Sequence, residues 1–282
     1  MNKKKESKEI KQQKKSRVIE KYGLLDSSLT QLSKDVISLL LLVGEAGMGK
    51  TRTTLEYLKK DKISHAYISC YTTPLSFYEL LYKHKDKQVL VIDDIEGLGD
   101  EKVISMLKSA CWRNTGNKKI VSYNSTTKLL EELELPTSFE LKANLVLIFN
   151  KIPNNFKAVV NRGIKLDFNF NFEEKIEIFD LFKDKAQIDE KVAEHLRLSC
   201  SNATKNLSIR TAVILSKLKS SGAEWLKFAE EILETDEEEV LLIQKVAKSH
   251  DLKCACASWC EETGHHRATF YRKYKRLGGK KY

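Results

Sequence analysis

No apolar stretch in this 282-residue chain comes near the roughly 18–20 residues that a membrane-crossing helix needs, so no membrane partner is expected. The N-terminus is rich in lysine but has no apolar core behind it, and no secretory signal is read there. The six cysteines (Cys70, Cys111, Cys200, Cys254, Cys256 and Cys260) are too scattered for a disulfide frame. They fit reduced thiols, which makes a cytoplasmic location the expectation. Cys254, Cys256 and Cys260, taken with His265 or His266, do not have one of the usual zinc spacings, and packing of small residues on inner helix faces accounts for them. No Ser/His/Asp or Cys/His nucleophile arrangement stands out.

The chain is long enough for two or three domains, and its 31% charged and 41% apolar residues are ordinary for a globular protein. The net charge of +10 is unevenly spread: residues 1–21 carry +6 and residues 241–282 carry +7, leaving 22–240 at −3. A mildly acidic middle between two basic ends points to nucleic-acid contact at the ends. Residues 1–17 are expected to be a basic flexible arm, since residues 1–16 have almost no apolar content.

The most informative stretch is residues 36–51, VISLLLLVGEAGMGKT. An apolar run from Val36 to Val43 predicts a buried strand, and it feeds into Gly44, Glu45, Ala46, Gly47, Met48, Gly49, Lys50 and Thr51. That is G-x-x-x-x-G-K-[ST] between a strand and a helix pattern, the context a phosphate-binding loop requires. Its glycines let backbone N–H groups turn inward around phosphates, and the following helix adds the positive end of its dipole. Lys50 would reach the β- and γ-phosphates of ATP, and Thr51 would put its hydroxyl on Mg²⁺.

A second apolar run, Val89 to Ile92, ends in Asp93 and Asp94. A strand buried on both faces delivers acids at its C-terminal edge, so Asp93 would hold Mg²⁺ and Asp94 would orient the attacking water. A third run, Leu145 to Phe149, ends on Asn150, placed to sense the γ-phosphate; Arg162 follows a short helix over 156–161, and a last strand runs from Ile164 to Phe170. Helices are expected over 17–32, 51–60, 75–82 and 100–111, with short strands at 65–70, 118–123 and 138–143. From Asn171 on, only helices are expected: 172–182 behind an Asn171/Glu174 capping box, 189–199, 206–219 bearing Arg210, 223–234, and one opened by a Thr235/Glu238 box.

Residues 256–276 have the arithmetic of a helix-turn-helix, with Ala257–Glu262, a Thr263-Gly264 turn and His266–Lys275. Trp259, Ala268, Phe270 and Tyr271 are expected to form a small core. His265, His266, Arg267, Thr269, Arg272, Lys273 and Arg276 are expected to face double-stranded DNA. From residue 265 on there are seven basic residues and no acid.

The order phosphate loop, two-acid strand, Asn-tipped strand, Arg162, strand, and helical lid with Arg210 resembles the AAA+ ATPases over roughly residues 18–234. The resemblance implies a P-loop αβα three-layer sandwich with a parallel sheet (18–170), an all-α lid (171–234) and a small helix-turn-helix domain (235–282). It implies that Asn150 is sensor 1, Arg210 the lid's sensor 2 arginine, and Arg162 an arginine finger completing a neighbour's site in a homo-oligomeric ring or filament. Asp94 departs from the usual glutamate, although bacterial replication initiators are similar at this point. The pair of strands at 118–123 and 138–143 resembles a hairpin that some AAA+ clades insert. GHHRATFYRKYKRLGG resembles the Fis-type modules that end many bacterial regulators. The expected activity is DNA-linked ATP hydrolysis in replication initiation, helicase loading or mobile-element DNA transactions, with a replication or recombination protein as further partner. An ATP-switched transcription regulator with little turnover is the alternative, supported by Asp94 in place of glutamate; only its sigma-54 activator version is opposed by the lack of a GAFTGA-like loop between Thr51 and Val89. A protein remodeller is the third.

Overall fold

The computed structural model describes residues 17–94, 98–124 and 129–277. The arm expected over 1–17 therefore lies outside the described residues except for Arg17. The chain divides into two compact units, Met1–Asn169 and Phe170–Tyr282.

The first unit opens with helix α1 (Arg17–Ser33), which buries Val18, Tyr22, Leu25, Leu29 and Leu32 on one face. The apolar run at Val36 predicts a strand from that residue, but β1 is Leu39–Gly44. Val36 belongs instead to the cap of α1: Asp35 is left-handed (φ 64°) and the Val36 N–H bonds the Gln31 carbonyl, leaving the Val36 side chain exposed. Then follow α2 (Lys50–Lys60), β2 (His65–Ile68), α3 (Pro74–Lys83), β3 (Val89–Asp93) and α4 (Glu101–Ala110). A short antiparallel pair, β4 (Ile120–Ser122) and β5 (Ser138–Glu140), flanks α5 (Leu129–Glu132). After it come β6 (Asn144–Phe149), a 3₁₀ turn at Asn154–Phe156, α6 (Lys157–Val160) and β7 (Ile164–Phe168).

Five strands form one parallel sheet in the order β2-β3-β6-β1-β7, the core of an α/β sandwich. β1 and β6 are buried along their whole length, as their unbroken apolar runs require. Each fully buried Leu, Ile or Val contributes about 1.5–3 kcal/mol, so these central strands are what hold the sheet's register. The chain leaves β1 toward β2 on one side and returns through β6 and β7, which makes the C-terminal end of β1 the switch point of the sheet.

The β4–β5 pair packs on α3 through aromatic rings: Tyr78 lies 5.4 Å from Tyr123 and 5.2 Å from Phe139, and Tyr82 lies 5.3 Å from Phe139. At its foot Lys119 is buried, donating from Nζ to the Ala143 carbonyl and to Asn144 Oδ1, both at 2.6 Å. Asn144 Nδ2 donates in turn to Asp35 Oδ1 at 2.9 Å, and Arg113 bonds the same Asp35 oxygen.

The second unit contains α7 (Phe172–Ala186), α8 (Glu190–Ser199), α9 (Ile209–Ser220), α10 (Trp225–Ile232), α11 (Glu237–Lys248), α12 (Leu252–Thr263) and α13 (Arg267–Arg276). The capping box of α7 is formed by Asn171 and Glu174. At α11 the sequence reading needs correction, because the cap is Asp236, which accepts from the Glu239 N–H at 3.2 Å. Thr235 is drawn into an antiparallel bridge with Thr204, which fixes its backbone before the helix begins. Among the described residues, no helix is long and apolar enough to cross a membrane.

Candidate functional site

The phosphate-loop residues sit at the C-terminal end of β1 with the backbone the motif calls for. Gly47 and Gly49 are both left-handed at φ 75°. Gly44 lies against β7 so closely that a Cβ there would stand 2.4 Å from the Phe168 carbonyl carbon, so only glycine lets the loop leave the sheet here. Gly49 has no side chain with which to cap α2, and the positive end of the helix dipole faces the loop. The Lys50 side chain is buried, and its ammonium donates to the carbonyls of Gly44 at 2.7 Å and Glu45 at 2.8 Å, which holds the charge over the loop. One turn further, the Thr54 hydroxyl bonds the Lys50 carbonyl at 2.9 Å and tightens the first turn.

Asp93 ends β3, two strands from β1, and the parallel register brings it to the same edge as the loop. The Thr51 hydroxyl donates to Asp93 Oδ2 at 2.7 Å across 42 positions of sequence. A hydroxyl and a carboxylate oxygen meeting beside a phosphate loop are the hard oxygen donors that Mg²⁺ takes, so the residues fit that ion. The Tyr67 hydroxyl, from β2, donates to the same Asp93 oxygen at 3.1 Å. Sequence reasoning missed Tyr67; its signal was a polar aromatic near the end of the strand next to β3.

Asp94 follows in the left-handed region at φ 46°, its N–H bonded to the Ile148 carbonyl at 3.1 Å. That conformation is strained for a residue with a side chain, and it turns the carboxylate off the strand. Asn150 Nδ2 donates to Asp94 Oδ2 at 3.2 Å, so the two residues read as water-orienting acid and γ-phosphate sensor are in contact.

Arg162 stands before β7, whose first residue pairs with Leu40 near the start of β1. It therefore lies at the sheet edge opposite the phosphate loop and cannot serve the site of its own chain. Its guanidinium folds back on α6, donating from Nη1 to the Ala158 carbonyl, while Nε is buried and has no bond among the described residues. Burial pushes the nearby Cys111 thiol up to about 12, against the pull of the Lys119 and Arg162 charges. In the other unit, Arg210 is exposed in the first turn of α9, after the Ser208 cap.

The C-terminal helices do not place all the basic residues outward. Their core is Leu242, Ala255, Cys256, Trp259 and Phe270, with Tyr274 and Leu277 packed on it. Ala268 and Tyr271, expected in that core, are exposed. The reason is helical phase: once Phe270 points inward, its neighbours on that face are residues 274 and 277, and residues 268, 271, 272 and 275 take the opposite face. Lys273 is turned inward to Asp236 at 3.3 Å and Glu238 at 2.8 Å. Burial alone would lower its ammonium, but the bonds to Glu238 and Asp236 outweigh that and hold it above its usual value. His265 stacks on Trp259 at 5.6 Å and reaches Glu238 at 3.0 Å, and Arg276 pairs with Glu239. Three residues expected to face DNA are thus engaged by acids at the start of α11. His265 and Arg276 remain exposed in these pairs; His266, Arg267, Arg272 and Lys275 are exposed as well, while Thr269 is half-buried. His266 also caps α13, its Nδ1 accepting from the Ala268 N–H at 3.3 Å.

Over 237 residues the chain is 25% identical to an uncharacterized 36.7 kDa protein of Enterobacteria phage T4 from the nrdC–mobD intergenic region, spanning 75% of this chain and 72% of that protein. Among solved structures it is similar to a DNA replication initiation factor, with a TM-score of 0.43 and 14% identity over 93% of this chain and 85% of the other. It is also similar to the Thermotoga maritima RuvB Holliday junction branch migration motor, with a TM-score of 0.47 and 16% identity over 92% and 86% of the two chains. No protein-family model matches the sequence.

Proposed function

We propose that this chain is an AAA+ ATPase that binds and hydrolyses ATP with Mg²⁺ and engages duplex DNA through its C-terminal helices. The observation that carries the nucleotide part is the meeting of Thr51 and Asp93 at 2.7 Å beside a buried Lys50, at the switch point of a parallel sheet. In this reading the loop N–H groups and the α2 N-terminus hold the phosphates, and Lys50 offsets charge on the transferring phosphoryl group. Thr51 and Asp93 would hold Mg²⁺, which supplies further charge neutralisation at the phosphates when bound. Asp94, steered by Asn150, orients the water. Arg162, at the far edge of the sheet, completes the site of a second copy in a ring or filament, and Arg210 reads the γ-phosphate from the lid.

The DNA part rests on charge. The exposed face of α13 carries Arg272 and Lys275, with Arg267 and His266 at its start. A role in replication initiation, helicase loading or mobile-element DNA work is the setting this combination fits, in a cytoplasmic protein.

The alternative, an ATP-switched regulator with little turnover, draws on one observation: Asp94 is a methylene shorter than glutamate and is already bonded to Asn150. ATP binding and turnover, each measured with and without duplex, separate the two. Asp94→Asn should lower turnover about 100-fold or more while ATP affinity stays within about threefold, as expected when only a transition-state group is removed. Turnover that is negligible in the wild type and unchanged in the variant would favour the switch. Lys50→Ala should abolish ATP binding in either case, and undiminished binding would sink the nucleotide reading itself.

A further inference from the structure

Tyr22 stands outside every residue set read from the sequence as chemistry. It lies on α1, on the buried face shared with Val18, Leu25 and Leu29, and its ring meets Phe168 edge-on at 5.5 Å. Its hydroxyl donates to the Met48 carbonyl at 2.6 Å, a long-range bond into the middle of the phosphate loop. Met48 is itself fully buried, so its carbonyl would be costly to leave unpaired. Burial also pushes the phenol well above its ordinary range, which keeps the proton on the oxygen and the bond polarised toward Met48.

The peptide unit is planar and trans, so its N–H and C=O point in opposite directions. A carbonyl of Met48 held toward α1, on the protein side of the loop, turns the N–H of Gly49 the other way. On the nucleotide reading, that is the side on which phosphate oxygens would be held. Gly49 can flip this peptide at little steric cost, because it already lies at φ 75°. Something has to choose between the two orientations, and a hydroxyl anchored in the core does so.

We propose that Tyr22 is a positioning residue for phosphate binding, acting through the Met48–Gly49 peptide to present the Gly49 N–H to a nucleoside di- or triphosphate. The inference rests on the nucleotide reading given above. It distinguishes Tyr22 from the general packing of α1, since the neighbouring helix–helix bond between Thr30 and the Tyr57 hydroxyl, at 2.6 Å, does not touch the loop.

The test compares Tyr22→Phe with Thr30→Val in the full chain. Tyr22→Phe keeps the ring and its edge contact, so the helix stays docked, as far-UV circular dichroism checks. Tyr22→Phe loses the bond to the Met48 carbonyl, and Thr30→Val loses the bonds of its hydroxyl to Tyr57 and to the Asp26 carbonyl. Tyr22→Phe should weaken ATP and ADP about tenfold, the loss expected from an unpaired buried carbonyl and a misdirected donor. The change should appear in KM with kcat within about twofold. Thr30→Val should leave both affinities unchanged at a similar loss of thermal stability. Wild-type ATP affinity in Tyr22→Phe, with Lys50→Ala binding none, overturns the inference and leaves the nucleotide reading standing. Equal weakening by the two variants overturns it as well, since α1 docking would then be what matters.

Discussion

Lys50 and Lys273 are both inward-turned lysines, and the fold directs them by different means. The Lys50 ammonium is held by two main-chain carbonyls of the phosphate loop. The Lys273 ammonium is held by the side chains of Asp236 and Glu238, which end on rotatable bonds at the start of a neighbouring helix. The first arrangement belongs to a sheet whose central strands are buried throughout. The second belongs to three short helices around one tryptophan and one phenylalanine. A substitution cannot remove a main-chain carbonyl, whereas side-chain-set geometry loses its partner outright when one acid is replaced.

The largest effect should therefore come from Trp259. It is fully buried, and its Nε1 donates to the Glu238 carbonyl at 2.8 Å. Trp259→Ala removes most of a small core and that bond together, at a cost of about 3–5 kcal/mol. The C-terminal helices should melt and duplex binding should be lost, while ATP affinity stays within about twofold. Circular dichroism melting with ATP binding on the same sample checks both halves. Loss of ATP affinity alongside the helices would break the comparison, because the two regions would then share one stability.

Lys119 gives the next largest effect, and it tests the first unit alone. Burial depresses its ammonium to about 8 despite the nearby Asp35, whereas an unfolded lysine titrates near 10.5. Between those values the unfolded chain binds more protons than the folded one, so stability rises as pH climbs from about 8 to 10.5. Below about 8 the full cost of the buried charge is present, on the order of 3 kcal/mol. Lys119→Met should flatten this rise relative to wild type, as read by urea unfolding at several pH values. A rise of the same size in both proteins would assign it to other groups.

How much of this was legible in the sequence follows from where each partner lies. The loop Gly44–Thr51, the acids Asp93 and Asp94, and Asn150 sit at the ends of apolar runs, and parallel-sheet geometry brings such ends to one edge. Tyr22 could be read as a buried position by its helical spacing. Its bond to Met48 could not, because nothing local specifies which carbonyl a buried phenol meets 26 positions away. The start of β1 was misjudged because Val36 continues an apolar run yet serves the cap of α1. The inward turn of Lys273 did leave a signal. It lies beside Tyr274 on the face set by Phe270 and Leu277, opposite Arg272, and a stricter count of helical phase separates the two lysine and arginine neighbours.

The smallest effect is the one that sharpens the comparison most. Arg272 and Lys273 are adjacent, equally charged, and counted alike by composition. Arg272 is exposed, so on the duplex reading it neutralises a phosphate and releases a counterion. Arg272→Ala should then weaken duplex binding several-fold and lower the slope of log K against log salt by about 1. Lys273→Ala removes a charge that is already neutralised by Asp236 and Glu238, with only 14% of its side chain exposed. It should leave the salt slope unchanged and instead lower the melting point of the helices, because Glu238 loses the bond that keeps its carboxyl below the usual range. Equal slopes lost by both variants would mean that phosphate competes successfully with the acids of α11 for Lys273. The side-chain clamp would then open on DNA, and the contrast with the backbone-held Lys50 would become one of mobility as well as of partners.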